Sequence, residues 1–561
     1  MQRSLFLLLT TSFSALQAMA QTPPDAGALR QQIEQGREPA LPQQLPAAPP
    51  PEPATLQPHS GLLVNVTGFQ LLGNTLLETA PLQEALSGFL NHPLDYNQLQ
   101  AATAAVAEVY RQAGWVVQAY LPEQDIQGGV IRIQIVEAVL GAVVTEGAAP
   151  QRISLARIKG IVETHQAVGA LLNADALDRS LLLADDLPGV AVAGSLREGA
   201  RSGQTDLLLR LRDEPLLTGN VLLDNAGNRS TGDTRLSADL TVNSPFHLGE
   251  LLSASAMHTE GSDYLRLGAT LPTGYGGWRV GVNASSMDYH LVLASFAALA
   301  IQGSSDSTGL EAIYPLVRSR LHNLYFSANA DHKNYRNQAN GATRSHYSSD
   351  SLGLALSGNL FDNWGGGGAS NASLSLTAGQ LNLAGSPSQA VDTTGVRAEG
   401  AFTKLRYSIS RQQMLGQDFS LYAAFSGQWS DRNLDSSEKF YLGGANGVRA
   451  YPANEAGGTL GQLLNLELRW RMPQGLNLSG FYDIGQISVN RSNDFASAAA
   501  PNDYQLQGGG VALSWQSSTG LLLKATWARR IGKHPAPGAT GNDQDDSLVM
   551  DRWWLTATLN F

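Results

Sequence analysis

Apolar and polar residues alternate with period two from Leu216 to the last residue, and helical periodicity disappears over that stretch. Sixteen segments carry the alternation, centred near Val221, Ala238, Ser255, Leu267, Val282, Ala312, Phe326, Ala355, Leu376, Tyr407, Ala424, Leu466, Phe481, Gly510, Lys524 and Leu555. The last is the cleanest. Trp553, Leu555, Ala557, Leu559 and Phe561 fall on one face, while Trp554, Thr556, Thr558 and Asn560 fall on the other. Its length matches the roughly ten residues with which a tilted strand crosses a bilayer. The pattern predicts a closed, even-numbered antiparallel β-barrel in a membrane, ending on the aromatic Phe561 as a C-terminal assembly signal with Trp553, Leu555 and Leu559.

The connections sort by length. Those after even-numbered segments are tight: Ser244-Pro245-Phe246, Thr273-Gly274-Tyr275, Ser319-Arg320, Asp362-Asn363-Trp364, Leu415-Gly416, Pro473-Gln474-Gly475 and Ser518-Thr519-Gly520. Those after odd-numbered segments are mostly long, for example 332–349, 433–459 and 530–547. Short turns at one end and long loops at the other are expected of a barrel inserted from inside the cell, and a soluble sandwich has no reason to keep this parity.

Ahead of the barrel, residues 62–137 read as a β-α-α-β-β unit. A strand over 62–71 precedes helices over 76–90 and 96–113, and a hairpin follows from 116–121 and 130–136. Residues 138–214 repeat the order, with Val143-Val144 in the first strand, helices over 153–164 and 174–183, and a strand pair over 190–196 and 206–211. Each unit closes on an alternating strand followed by an acid, Glu137 or Glu214. Residues 25–36 predict a short helix with Asp25 as cap and Gly36 as terminator, marginal in isolation. A Pro-rich stretch over 38–61 predicts a linker able to reach roughly 60 Å.

The first twenty residues carry Arg3, an apolar run from Leu5 to Leu16 and Ala18-Met19-Ala20, which together predict a cleaved signal peptide and a mature start near Gln21. No stretch beyond it holds eighteen consecutive apolar residues, so a membrane-embedded form must be a barrel. Cysteine is absent, which excludes disulfides, thiol catalysis and cysteine metal sites. The net charge of −11 argues against nucleic acid as a partner. There is no Gly-x-Ser-x-Gly elbow, phosphate loop or His-Glu-x-x-His, and no catalytic residue or metal site is assigned. The ten histidines stand singly and read as solvated, as do Asp185-Asp186 and Asp545-Asp546.

One constellation stands out. The sixth long loop contains Gly443-Gly444-Ala445-Asn446-Gly447-Val448-Arg449-Ala450-Tyr451-Pro452, whose glycines permit a tight tip folded inward. The thirteenth strand carries Phe481-Tyr482-Asp483-Ile484-Gly485, in which Phe481, Asp483 and Gly485 share a face. If Tyr482 and Ile484 meet lipid, Asp483 faces the lumen, where a carboxylate needs a cation. Arg449 is the candidate partner, as a bidentate pair.

These features together resemble the two-partner-secretion transporters (TpsB), also called haemolysin-activator or filamentous-haemagglutinin-type transporters, of the outer-membrane insertase superfamily. Ala119-Tyr120-Leu121-Pro122-Glu123-Gln124-Asp125-Ile126 and Leu182-Leu183-Ala184-Asp185-Asp186-Leu187-Pro188-Gly189-Val190 are similar to that family's domain signatures. Residues 223–232 are similar to its first hairpin, and the resemblance covers Gln21 to Phe561. Val448-Arg449-Ala450-Tyr451 is similar to its loop motif, which usually has Gly where this chain has Ala450.

The resemblance implies two polypeptide-transport-associated (POTRA) domains in the periplasm, at 62–137 and 138–214. It also implies a plug helix at 21–37 and a 16-stranded outer-membrane barrel over 215–561. Arg449 and Asp483 would lock the loop in the lumen. The implied function is export of an unfolded TpsA-type exoprotein (haemolysin, adhesin or contact-dependent toxin) without catalysis, cofactor or metal. Folding outside would supply direction. Outer-membrane lipids surround the barrel, the barrel-assembly machinery inserts it, and a monomer is expected. The nearest rival is an insertase that assembles other barrels, and a passive porin or receptor comes next. Two modules and a plug favour secretion.

Overall fold

The computed structural model describes residues 23–35, 63–538 and 541–561. The signal segment, Gly36 and the Pro-rich linker lie outside the described residues.

The first unit contains strand β1 (Gly68–Leu72), helices α2 (Thr79–Leu86) and α3 (Tyr96–Gln112), and strands β2 (Val117–Tyr120) and β3 (Val130–Glu137). α1 is the short helix Ala26–Gln35 that precedes it. Asp95 and Gln98 form a reciprocal capping box that fixes the start of α3. The sheet order is β1-β3-β2, with β1 parallel to β3, so β3 is central and buries Ile131, Ile133 and Ile135 against the helices. The second unit repeats this: β4 (Val139–Glu146), α4 (Leu155–His165), α5 (Ala174–Asp185), β5 (Val190–Glu198) and β6 (Gln204–Asp213), with β6 central. Its core joins Leu140, Ile158, Val162, Leu207 and Leu209.

The closing acids do not match as the sequence suggested. Glu137 ends β3 and accepts from Thr75 N, Leu76 N and the Tyr110 hydroxyl at 2.7, 2.8 and 2.9 Å. In the second unit the same task falls to Asp213, which accepts from Gln151 N and Arg152 N at 3.0 and 3.1 Å, rather than to Glu214. The acid must lie on the last paired residue to reach the loop that enters the helix, and β6 ends one residue before Glu214.

Sixteen antiparallel strands then close into a barrel. They are β7 (Leu217–Asp224), β8 (Arg235–Asn243), β9 (Leu251–Thr259), β10 (Ser262–Thr273), β11 (Trp278–His290), β12 (Gln302–Arg318), β13 (His322–Ala339) and β14 (Ala342–Asp362). The second half is β15 (Gly368–Asn382), β16 (Gly400–Met414), β17 (Phe419–Ser430), β18 (Leu460–Arg471), β19 (Leu476–Ser488), β20 (Asp503–Gln516), β21 (Leu521–Arg530) and β22 (Asp551–Asn560). All sixteen centres read from the alternation fall inside these strands. Closure pairs β22 with β7, from Thr556 opposite Asp224 to Asn560 opposite Asn220, and Phe561 and Gly219 exchange backbone hydrogen bonds at 3.0 Å. Trp553, Leu555, Leu559 and Phe561 face outward and are exposed, whereas Trp554 is buried inside. No helix among the described residues is long and apolar enough to cross a membrane.

Two connections on the long-loop side are in fact tight. β13 and β14 run for 18 and 21 residues and meet at Asn340-Gly341, both at positive φ (51° and 75°), the conformation that Asn-Gly favours in two-residue hairpins. Most of 332–349, expected as a loop, is therefore paired strand. About half of each strand exceeds the roughly ten residues that cross a bilayer. There both faces are polar, so no apolar alternation marked the strand. Glu260-Gly261 likewise joins β9 to β10 directly, since Thr259 pairs with Ser262.

The second unit seats on the tight-turn end of the barrel. Asp186 takes a bidentate pair from Arg318 at 2.7 and 2.8 Å, Arg320 bonds Asp178 at 2.7 Å, and Arg179 and Arg157 donate to the carbonyls of Pro315 and Pro272 at 2.6 and 2.8 Å. Asp185 accepts from Val192 N at 2.7 Å. Asp185 is thus partly buried, and Asp186, still exposed to solvent, is also paired: the end of α5 meets a barrel strand end, a contact between segments far apart in sequence.

Candidate functional site

The barrel lumen holds α1. Asp25 caps the helix by accepting from Ala28 N at 2.8 Å and also takes the Ser436 hydroxyl at 2.8 Å. Ten residues form a marginal helix in water, so its stability comes from the wall around it. Ala26 and Leu29 pack on Tyr264, Met287, Tyr289, Tyr335 and Tyr347. Gly27 packs closely on the loop, where a Cβ would stand 2.8 Å from Ser436 Oγ and 2.9 Å from the Tyr347 hydroxyl. Arg30 is fully buried. Its guanidinium reaches Glu34 at 2.8 Å, Ser305 at 3.0 Å and Ser285 at 2.6 Å. Lys333 stands 3.7 Å from Glu34 and 3.5 Å from Glu438, which also pairs with Lys404. Beside this packing, hydroxyls and ion pairs hold the helix, contacts that water can replace.

The sixth loop, 431–459, folds into the lumen. Its first arm, 435–441, lies along α1, and Gln35 donates to the Tyr441 carbonyl at 3.4 Å. Its tip places the Arg449 guanidinium on Asp483, with Nε to Oδ2 at 2.8 Å and Nη2 to Oδ1 at 2.7 Å, and the Arg449 backbone N–H adds a third bond at 3.1 Å. The guanidinium carbon lies 3.5 Å from the centre of the Phe481 ring. Both charged groups are buried. Asp483 also accepts from Asn465 Nδ2 at 2.7 Å, and the same amide donates to the Gly447 carbonyl at 3.1 Å.

The other motif residues shape this contact. Val448 and Ala450 are fully buried, and Tyr451 nearly so. Val448 N donates to the Leu442 carbonyl at 2.7 Å, and Tyr451 N to the Val448 carbonyl at 3.0 Å, which makes the tip a tight turn. Ala450 keeps a negative φ and so needs no glycine. Its methyl is accommodated by Gly508 on β20, where a Cβ would stand 2.5 Å from it. Gly485 is required for a similar reason, since its Cβ would meet Leu442 at 2.6 Å.

Three partners were missing from the sequence reading. Glu467 takes the remaining Arg449 amino group at 2.6 Å, Asn465 supports Asp483, and Trp554 donates its indole N–H to the Arg449 carbonyl at 2.8 Å. Asn465 and Glu467 on β18 stand directly opposite Asp483 and Phe481. That register was derivable from the tight turn at 473–475, which counts residues back equally on both strands.

Two solvated readings are also corrected. In the eighth loop, 531–550, Asp545 is buried against Arg552 at 3.4 Å, and the side chain of the partly buried His534 is covered against Glu455 at 3.1 Å. Their partners lie in other loops and strands, so neighbouring sequence carried no sign of them.

The profile of the haemolysin secretion/activation protein family ShlB/FhaC/HecB matches residues 203–513, and that of the ShlB-type POTRA domain matches 64–138. The chain belongs to this family. It is therefore a two-partner-secretion transporter of the outer membrane, with its POTRA region in the periplasm, which places the tight turns on that side. The heme/hemopexin transporter HuxB of Haemophilus influenzae is 26% identical over 91% of this chain and 92% of its own length. The outer membrane transporter CdiB of Dickeya dadantii is 24% identical over 81% and 79%. In fold, CdiB from Escherichia coli superposes with a TM-score of 0.68 at 22% identity, covering 95% of each chain.

Proposed function

We propose that this transporter captures an unfolded exoprotein in the periplasm on its two α+β units and threads it through the lumen once α1 withdraws. The observation that carries this reading is the way α1 occupies the lumen. A ten-residue helix held by side-chain hydroxyls and ion pairs is a removable plug rather than part of the wall. Withdrawal frees the slot between the tyrosine-lined wall and the first arm of loop 6. Capture uses the unpaired edge of β2 in the first unit and of β5 in the second, which offer free backbone groups to an extended chain.

In this reading Arg449 and Asp483 keep loop 6 inside while cargo passes. Chain segments 21–37, 38–61, 62–137, 138–214 and 215–561 act as plug, linker, two docking modules and channel. The exoprotein is of TpsA type, the barrel works as a monomer surrounded by outer-membrane lipid, and the barrel-assembly machinery reads Trp553, Leu555, Leu559 and Phe561 on β22. The test is export of the co-expressed exoprotein by a chain lacking residues 63–137. The barrel should remain heat-modifiable in the membrane while export is lost. Normal export by that chain would overturn capture by the first unit.

A further inference from the structure

Beyond its tip, loop 6 turns back through Pro452, Ala453 and Glu455, and this return arm is covered by loop 8. Glu455 is buried, with one carboxylate oxygen 3.1 Å from His534 Nε2 and the other accepting from Gln544 N at 2.8 Å. The edge of the His534 ring meets Tyr451 at 5.6 Å between centres. Arg530, at the end of β21, stands over the Tyr451 ring at 4.4 Å and donates to the Ala450 carbonyl at 3.3 Å. Asp543, also buried, pairs with Arg530 and lies 3.6 Å from both Arg552 and His534. Glu455, His534 and Asp543 are close enough together to suggest a cation site. Arg530 and Arg552 already provide the positive charge there. The family profile ends at residue 513, before any of these loop 8 residues.

We propose that loop 8 is a clamp on loop 6, with His534 and Glu455 as its positioning residues. The two arms of loop 6 pair with each other at Phe440–Gly458 and Tyr441–Gly457 but rest on different elements. The first arm leans on α1 through Ser436 and Tyr441 and loses those contacts when the plug withdraws, while Glu438 stays paired with Lys404 of the wall. The return arm is held by loop 8 alone of the two, and that contact does not involve α1. A long loop freed along its whole length would regain conformational entropy and draw Arg449 off Asp483. With the return arm clamped, the tip stays in register beside the exit path. This inference rests on loop 6 acting as an inward lock.

The chain has no cysteine, so a single Ala453→Cys reports directly on the buried return arm. Intact cells carrying the full transporter are treated with a membrane-impermeant maleimide. Labelling should be slow, and should stay slow when residues 25–35 are deleted. Adding His534→Ala to that deletion should speed labelling about tenfold, the scale of one lost buried contact. His534→Gln, which keeps a donor toward Glu455, should remain slow, a rescue that loss of general loop stability would not show. Glu455→Gln tests the same contact if His534→Ala fails to give a heat-modifiable barrel. Arg449→Ala should leave residue 453 protected, which separates failure of the tip lock from failure of the clamp. Equal rates with and without His534→Ala, or fast labelling of the plug deletion alone, would overturn the clamp. Protection lost on adding EDTA would overturn it in favour of a bound divalent cation.

Discussion

Trp554 donates its indole N–H to the Arg449 carbonyl at 2.8 Å, joining the last strand of the barrel to the tip of the inward loop. Arg449 thereby touches three strands: β18 through Glu467, β19 through Asp483 and β22 through Trp554. Loop 6 is placed against the wall that closes the barrel.

Removing Arg449 therefore leaves two carboxylates, Asp483 and Glu467, without their main counter-charge in a desolvated site. Breaking such a buried pair costs about 3–5 kcal/mol. Arg449→Ala should abolish most export while a heat-modifiable barrel still assembles. Arg449→Lys should restore little, because one ammonium cannot serve both acids with the bidentate geometry. Asp483→Ala should be milder than Arg449→Ala, since Glu467 remains for the guanidinium. Export assays on the three variants and the double mutant check this ordering, and the double should be no worse than Arg449→Ala.

Among the contacts that hold α1 in the lumen is the fully buried guanidinium of Arg30. Arg30→Ala removes contacts to Ser285, Ser305 and Glu34 at once. Single-channel recordings in planar bilayers should then show longer and more frequent openings than the parent. Deleting residues 25–35 should give the same conductance permanently.

Asp186 and Arg318 link the second unit to the barrel as a bidentate pair, with the arginine buried and the carboxylate partly exposed. Asp186→Ala should widen the distribution of distances between spin labels placed on α4 and on the turn at 274–277. The charge swap Asp186→Arg with Arg318→Asp should narrow it again. An unchanged distribution in Asp186→Ala would show that the other arginine contacts suffice.

The first unit should weaken in acid through Glu137. Partial burial raises its carboxyl, but hydrogen bonds from Thr75, Leu76 and Tyr110 outweigh this and hold it below the usual glutamate range. A depressed pKa in the folded state stabilises above the unfolded value of about 4.3 and is lost as pH falls through the folded one. Protection of the α3 amides, taken relative to their intrinsic exchange rates at each pH, should fall in the full parent chain at pH near and below that range. Glu137→Gln should be less protected at neutral pH and nearly independent of it.

Legibility followed the range of the interactions. Every barrel strand was visible because lipid on one side and lumen on the other impose period two on each segment. The polar half of β13 and β14 was not, since its inward face packs on α1 through Tyr335 and Tyr347 rather than showing an apolar alternation, and only Asn340-Gly341 marked the hairpin. The resemblance paired Arg449 with Asp483, and the register of β18 against β19 would have supplied Glu467 and Asn465. Trp554 and His534 could not be read, because their partners depend on barrel closure and on loop packing, which no local pattern encodes.

The central claim is that α1 must leave the lumen for export. A Cβ at Gly27 lies 2.8 Å from Ser436 Oγ, within the reach of a disulfide, and the chain has no other cysteine to interfere. Gly27→Cys with Ser436→Cys ties the plug to loop 6 when oxidised. Export of the co-expressed exoprotein should stop in the oxidised transporter and return on reduction, with each single variant exporting in both states. Undiminished export by a fully crosslinked transporter would contradict the account.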